Sequence, residues 1–114
     1  MVLLHITPND DWTAAMDAGE YRATSLTTEG FIHLSTPDQI LRTANTFFRG
    51  QTGLVLLVIE SSQLVAPLRF EDVPEHGTFP HLYGPLNLDA LTDILPFEPQ
   101  DDGRFTLPEV LTDA

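Results

Sequence analysis

The chain has 114 residues, 42% of them hydrophobic, and carries 17 acidic against 5 basic side chains for a formal net charge of −12. That length suits one domain with its own core, and the charge disfavours binding to a long polyanion or an anionic membrane. All five cations are arginine, so lysine Schiff bases and a Walker A phosphate loop are excluded; the lack of cysteine excludes disulfides, thiolate metal sites and thiol nucleophiles, and makes the cytoplasm the expected compartment.

Taken in order, Val2 to Ile6 is an apolar run of strand length that contains His5, and no secretory leader or membrane span is expected. Thr7-Pro8-Asn9-Asp10 ends it and opens a helix on which Trp12, Ala15 and Met16 recur at helical spacing. That helix stops at Gly19, with Trp12 and Met16 expected in the core. Tyr21-Arg22-Ala23 reads as an extended edge, followed by a loop over Thr27 to Gly30.

Phe31-Ile32-His33-Leu34 alternates as a short strand, with Phe31 and His33 on one face and Ile32 and Leu34 on the other. Thr36, Pro37 and Gln39 then form a helix-start signature, so a strand is expected to run straight into a helix N-terminus, where unpaired N–H groups suit a phosphate or carboxylate. The same residues also read as an ordinary cap beside a hydrogen-bonded histidine. Ile40, Leu41, Ala44, Phe47 and Phe48 form one apolar stripe on a helix expected to run from the cap to Gly50.

Leu54 to Ile59 is continuously apolar and too short for a helix, which makes it the expected central strand. Ser61 to Leu64 suits one helical turn, and Leu68 to Glu71 alternates like a strand with one wet face. Asp72 to Pro80, rich in turn formers and containing His76, reads as a mobile surface loop that leads into His81-Leu82-Tyr83-Gly84-Pro85-Leu86. A turn and a strand to Phe97 follow, and residues 99–114 read as an acidic tail on a domain spanning 1–98; Phe105, Leu107, Val110 and Leu111 are its docking candidates. Two helices and about five strands in irregular order give an α+β fold with a small mixed or antiparallel sheet.

The histidines His5, His33, His76 and His81 are the side chains that titrate near neutral pH without help. A metal site from His5, His33 and His81 has no spacing to support it, so no metal is expected. Ser35 lacks the Gly-x-Ser-x-Gly setting of a hydrolase nucleophile, and Glu71 and Glu75 are acid–base candidates beside the loop.

His5-Ile6-Thr7, Glu29 to Thr36, Ala44 to Gly50, Leu54 to Ile59 and Phe79 to Leu86 together resemble the small bacterial domain-of-unknown-function family nine-five-two. More distantly, His5-x-Thr7 is similar to the first-strand His-Gly-Thr of poly-ADP-ribosyl-transferase-like proteins, and Phe31-Ile32-His33-Leu34-Ser35 to the His-Val-His-Leu-Ser of RNA 2′-phosphotransferases. The ADP-ribosyl-transferase superfamily binds NAD in a cleft of a split mixed sheet. The resemblance therefore implies a small-molecule site for NAD or a related nucleotide, and transfer or hydrolysis of ADP-ribose. By the same implication His5 and Thr7 lie at the adenosine ribose, His33 and Ser35 line the nicotinamide or phosphate side, and Tyr83 stands for the ring that stacks on nicotinamide; Thr36 adds the helix start to this site, and catalysis would fall to His5, His33 and an acid such as Glu71 or Glu75. Three departures stand out: only four residues stand before His5 in this sequence, where RNA 2′-phosphotransferases carry a basic lobe; Arg22, Arg42, Arg49 and Arg69 are scattered, so nucleic acid is not an expected partner; and the catalytic glutamate of other superfamily members has no counterpart that aligns. The other expectation is a non-catalytic module that binds a small ligand or a protein on the same fold.

Overall fold

The computed structural model describes residues 1–112. The chain runs β1 (Val2–Pro8), α1 (Asn9–Ala18), β2 (Glu20–Tyr21), α2 (Thr24–Thr28), β3 (Ile32–His33), α3 (Ile40–Phe47), β4 (Leu54–Glu60), β5 (Leu68–Val73), β6 (Gly77–Leu82), β7 (Leu86–Asn87), β8 (Leu91–Phe97) and α4 (Glu109–Thr112), with short 3-10 turns at Ser61–Gln63 and Leu88–Ala90. This is an α+β fold, and the strand pairings among the described residues are antiparallel.

The strands form two three-stranded sheets, ordered β1-β4-β8 and β3-β6-β5, and a minimal pair, β2-β7. The expected central strand is indeed central. Leu54 to Ile59 are all buried because β4 is paired on both edges and covered on both faces, which is why its sequence shows no alternation. On β1 alternate residues feed two clusters: Leu3 packs with Trp12, Tyr21 and Ile32, whereas Leu4 and Ile6 pack with Ile40, Ala44 and Phe97.

The two larger sheets meet at a fork. β3 pairs with β6 through Ile32↔Leu82 and His33↔His81, and the Leu34 N–H still reaches the Pro80 carbonyl at 3.0 Å. One residue later the chain crosses over, and Leu4 and Ser35 exchange both backbone hydrogen bonds at 2.8 Å. The segment from Ile32 to Ser35 therefore belongs to both halves and leaves a gap between them.

Several expectations need correction. The strand does not run directly into a helix: a turn over residues 37–39 intervenes and α3 begins at Ile40. Gln39 makes its half of the capping box, its Oε1 accepting from the Thr36 N–H at 3.0 Å, but the Thr36 hydroxyl donates to Asp38 Oδ1 at 2.7 Å instead of accepting from the helix. α1 ends as read, with the N–H of left-handed Gly19 on the Ala15 carbonyl, yet Met16 is solvent-facing while Trp12 and Ala15 hold the core. Thr24–Thr28 forms α2, so the loop expected over Thr27 to Gly30 begins inside a helix.

Asp72 to Pro80 is not a loop but the tip and arms of the β5–β6 hairpin, in register from Leu68↔Leu82 to Val73↔Gly77. Its turn residues lie at Pro74 to His76, with Glu75 left-handed at φ 72° and the His76 N–H on the Val73 carbonyl. Gly84 is required by contact, since a Cβ there would lie 2.7 Å from the Ala66 Cβ. The acidic tail returns to the domain: Phe105 is buried, stacks on Phe97 at 4.7 Å and donates its N–H to Asn45 Oδ1 at 2.7 Å, whereas Val110 stays exposed.

Candidate functional site

At the fork, sheet pairing lapses and the His33 carbonyl loses its strand partner. His5 supplies one. Its Nδ1 lies 2.6 Å from the His33 oxygen, and its Nε2 lies 2.8 Å from the Tyr21 hydroxyl, which is 3.0 Å from Thr7 Oγ1. A carbonyl only accepts, so Nδ1 carries the proton and Nε2 accepts from Tyr21. Burial pushes the His5 pKa down to about 4, which keeps the ring neutral at pH 7 and fits that tautomer. Burial likewise pushes the Tyr21 phenol up. With both nitrogens engaged, His5 ties β1 to the fork and to β2.

Beside this network lies a cleft of about 330 Å³ between α3 and the β5–β6 hairpin, within the size range of small-ligand pockets. His5, His33 and Ser35 line it on the fork side, and Phe47, His76 and Phe79 on the outer side. Phe47, expected in the apolar stripe of α3, instead stands exposed across the opening with its ring 5.5 Å from that of His76. Ile40 and Ala44 anchor the helix, so Phe47 is left to wall the cleft. No Asp or Glu lines it among the described residues.

Past the cleft, the same face of β3-β6-β5 carries a second group. His81, 4% exposed, lies 2.9 Å through Nδ1 from Glu71 Oε1, and the Tyr83 hydroxyl donates to the same oxygen. The Tyr83 bond first and the His81 bond second hold the Glu71 carboxyl below the usual range, and the same bond to Glu71 raises the Tyr83 phenol. Phe31 stacks on His81 at 4.0 Å and 19°, while the His33 ring stands edge-on to His81 at 5.4 Å. The Arg69 guanidinium lies 5.1 Å from the centre of the Tyr83 ring. His33 itself is half exposed, its Nε2 3.0 Å from Glu29 Oε2.

Thus His5, His33 and Ser35 converge on the cleft, Thr7 joins His5 through Tyr21, Thr36 caps its turn, and Glu71 and Tyr83 pair with each other beyond the cleft. Glu75 sits at the hairpin tip. Tyr21 was missed, and nothing local marks it, since its importance depends on a partner 16 residues earlier. Phe31 was legible in part, because alternation puts it on the His33 face of its strand, whereas His81 joins that face through the His33↔His81 register. Among the described residues no cluster of three or more His, Cys, Asp or Glu side chains is arranged for a metal ion.

A family model described as "Protein of unknown function (DUF952)" matches residues 6–94. The chain is a DUF952 protein. The crystal structure of CC0527 from Caulobacter crescentus is similar to this DUF952 chain at 34% identity, with a TM-score of 0.89, covering 98% of this chain and 99% of that one. The solution structure of CC0527 is similar at 32% identity and a TM-score of 0.80, covering 99% and 96% of the two chains. No curated protein matches. Among the described residues of this DUF952 chain, no helix is long and apolar enough to cross a membrane.

Proposed function

We propose that the cleft binds NAD or a related nucleotide by one of its ring-bearing ends. The observation that carries this reading is the convergence of His5, His33 and Ser35, the residues of the two short motifs that resemble ADP-ribosyl-transferase strands, on one cleft at the fork of a split sheet. Its aromatic walls suit a planar ring. Among the described residues no arginine lines the cleft, and the chain is strongly acidic, so the phosphates point out to solvent.

Binding without turnover is a second reading, and one observation favours it. Stabilising a ribosyl cation needs a nearby carboxylate, and none lines the cleft, while His5 has no nitrogen left for proton transfer. The experiment is isothermal titration of NAD and ADP-ribose into the folded protein and its His33→Ala variant, with nicotinamide release assayed in parallel. Saturable binding weakened in the variant supports the cleft, and release of nicotinamide selects the enzymatic reading over simple binding. No heat from either ligand overturns the nucleotide proposal.

A further inference from the structure

His81 Nε2 is a buried side-chain polar atom with no hydrogen-bond partner. Such atoms are rare in folded proteins because an unmade hydrogen bond in a buried place is destabilising, so each one asks for a reason. The rest of the ring is well specified. Glu71 can only accept, which fixes the proton on His81 Nδ1, and Tyr83 donates to the same carboxylate oxygen, fixing its position. A carboxylate that orients an imidazole through Nδ1–H leaves the opposite nitrogen as a directed acceptor.

The surroundings suggest how that acceptor is reached. His33 is paired with His81 in register, stands edge-on to it and also lines the cleft. Its side chain is half exposed and held on the outside by the exposed Glu29, an arrangement that contributes little to stability and is easily given up. Phe79, the neighbouring residue on the same face of β6, lines the cleft as well. His81 therefore lies one step along the sheet face from the cleft, in edge-on contact with the His33 ring that lines it and with Phe31 stacked on its own face.

We infer that His81, oriented by Glu71, is the hydrogen-bond acceptor for an N–H or O–H donor of the ligand bound in the cleft, reached when the His33 side chain turns outward. For a nucleotide of the NAD class the donor is a carboxamide N–H or a ribose hydroxyl. The inference rests on the cleft reading and adds to it the group that selects the ligand: a nucleotide end with a donor binds, and one without a donor loses that bond.

The test uses the full chain and two variants of His81, whose own side-chain hydrogen bond goes to Glu71 and not to His5, Tyr21 or Thr7. His81→Phe keeps an aromatic ring for Phe31 to stack on but removes both nitrogens, and His81→Gln restores an acceptor. With NAD and ADP-ribose as probes, affinity falls roughly five- to tenfold in His81→Phe and recovers in part in His81→Gln, the size expected for one neutral hydrogen bond. Nitrogen-15 NMR of the wild-type imidazoles reads the same atom directly: His81 Nε2 is unprotonated and unbonded in the ligand-free protein and shifts toward a hydrogen-bonded value at saturation. Equal affinity in His81→Phe, or an Nε2 signal unmoved by a saturating ligand, overturns the inference and leaves the cleft reading standing. Failure of the wild type to bind either probe overturns both.

Discussion

Two histidines of this chain are almost equally buried, His5 at 8% and His81 at 4% exposure, yet their surroundings differ in one respect. His5 has both nitrogens bonded, to a carbonyl and a phenol, and joins three strands. His81 has one nitrogen fixed by a carboxylate and the other without a partner. Burial alone does not separate these two histidines, whereas hydrogen-bond satisfaction does. The first network stabilises the fork, and the second accepts a local cost there.

The comparison breaks most easily at His5. His5→Ala removes a buried ring and leaves the His33 carbonyl and the Tyr21 hydroxyl without partners, so urea unfolding should show a loss of about 3 to 4 kcal/mol. A loss under about 1 kcal/mol would show that the network is not what holds the fork.

Acid gives the next largest effect. The folded-state pKa of His5 is depressed from 6.5 to about 4, so between those values the unfolded chain binds more protons than the folded one. The stability it contributes is therefore present above the unfolded value and is lost as pH falls from 6.5 to 4, by about 3 kcal/mol in total. In His5→Gln, which does not titrate, this part of the pH dependence should vanish; an unchanged slope of unfolding free energy against pH would mean that His5 is not buried neutral.

Much of this architecture was legible in the sequence, for identifiable reasons. β4 announced itself because a strand covered on both faces needs an unbroken apolar run, and the alternation from Phe31 to Leu34 gave its two faces correctly because one of them is core, with Ile32 and Leu34 buried. The hairpin around Glu75 was read as a loop because turn formers dominate its composition, while the pairing of Gly77 to Leu82 with Leu68 to Val73 that makes its arms strands is not marked by composition. Met16 was expected in the core and Phe47 in the apolar stripe of its helix on helical spacing, which states which residues share a face but not how wide the buried part of it is. His5, His33 and Ser35 could be named from short strings, whereas Tyr21 could not, since a buried hydrogen bond leaves no periodic trace.

Smaller changes sharpen the contrast. Tyr21→Phe leaves the ring packed but deprives His5 Nε2 of its partner, converting it into a second orphan like His81, and should lower stability by about 1 to 2 kcal/mol in thermal or urea unfolding. His33→Ala, by contrast, removes a half-exposed side chain whose contact with Glu29 is solvent-facing, and should change stability by no more than about 0.5 kcal/mol. A larger loss would mean that the His33 ring is a structural part of the sheet face and does not turn outward.

The fork also bears on how the chain reaches its folded state. β1 pairs with β4 from Val2↔Glu60 onward, β3 with β6 across about fifty residues, and β2 with β7 across more than sixty, so hardly any strand finds its partner nearby. Only the β5–β6 hairpin closes locally. During synthesis the N-terminal strand waits until β4 has emerged, and the second core cluster waits for Phe105. Closing such long loops before any contact rewards them slows folding, so this small domain should refold on the millisecond-to-second scale of non-local topologies, with the hairpin as its natural early element.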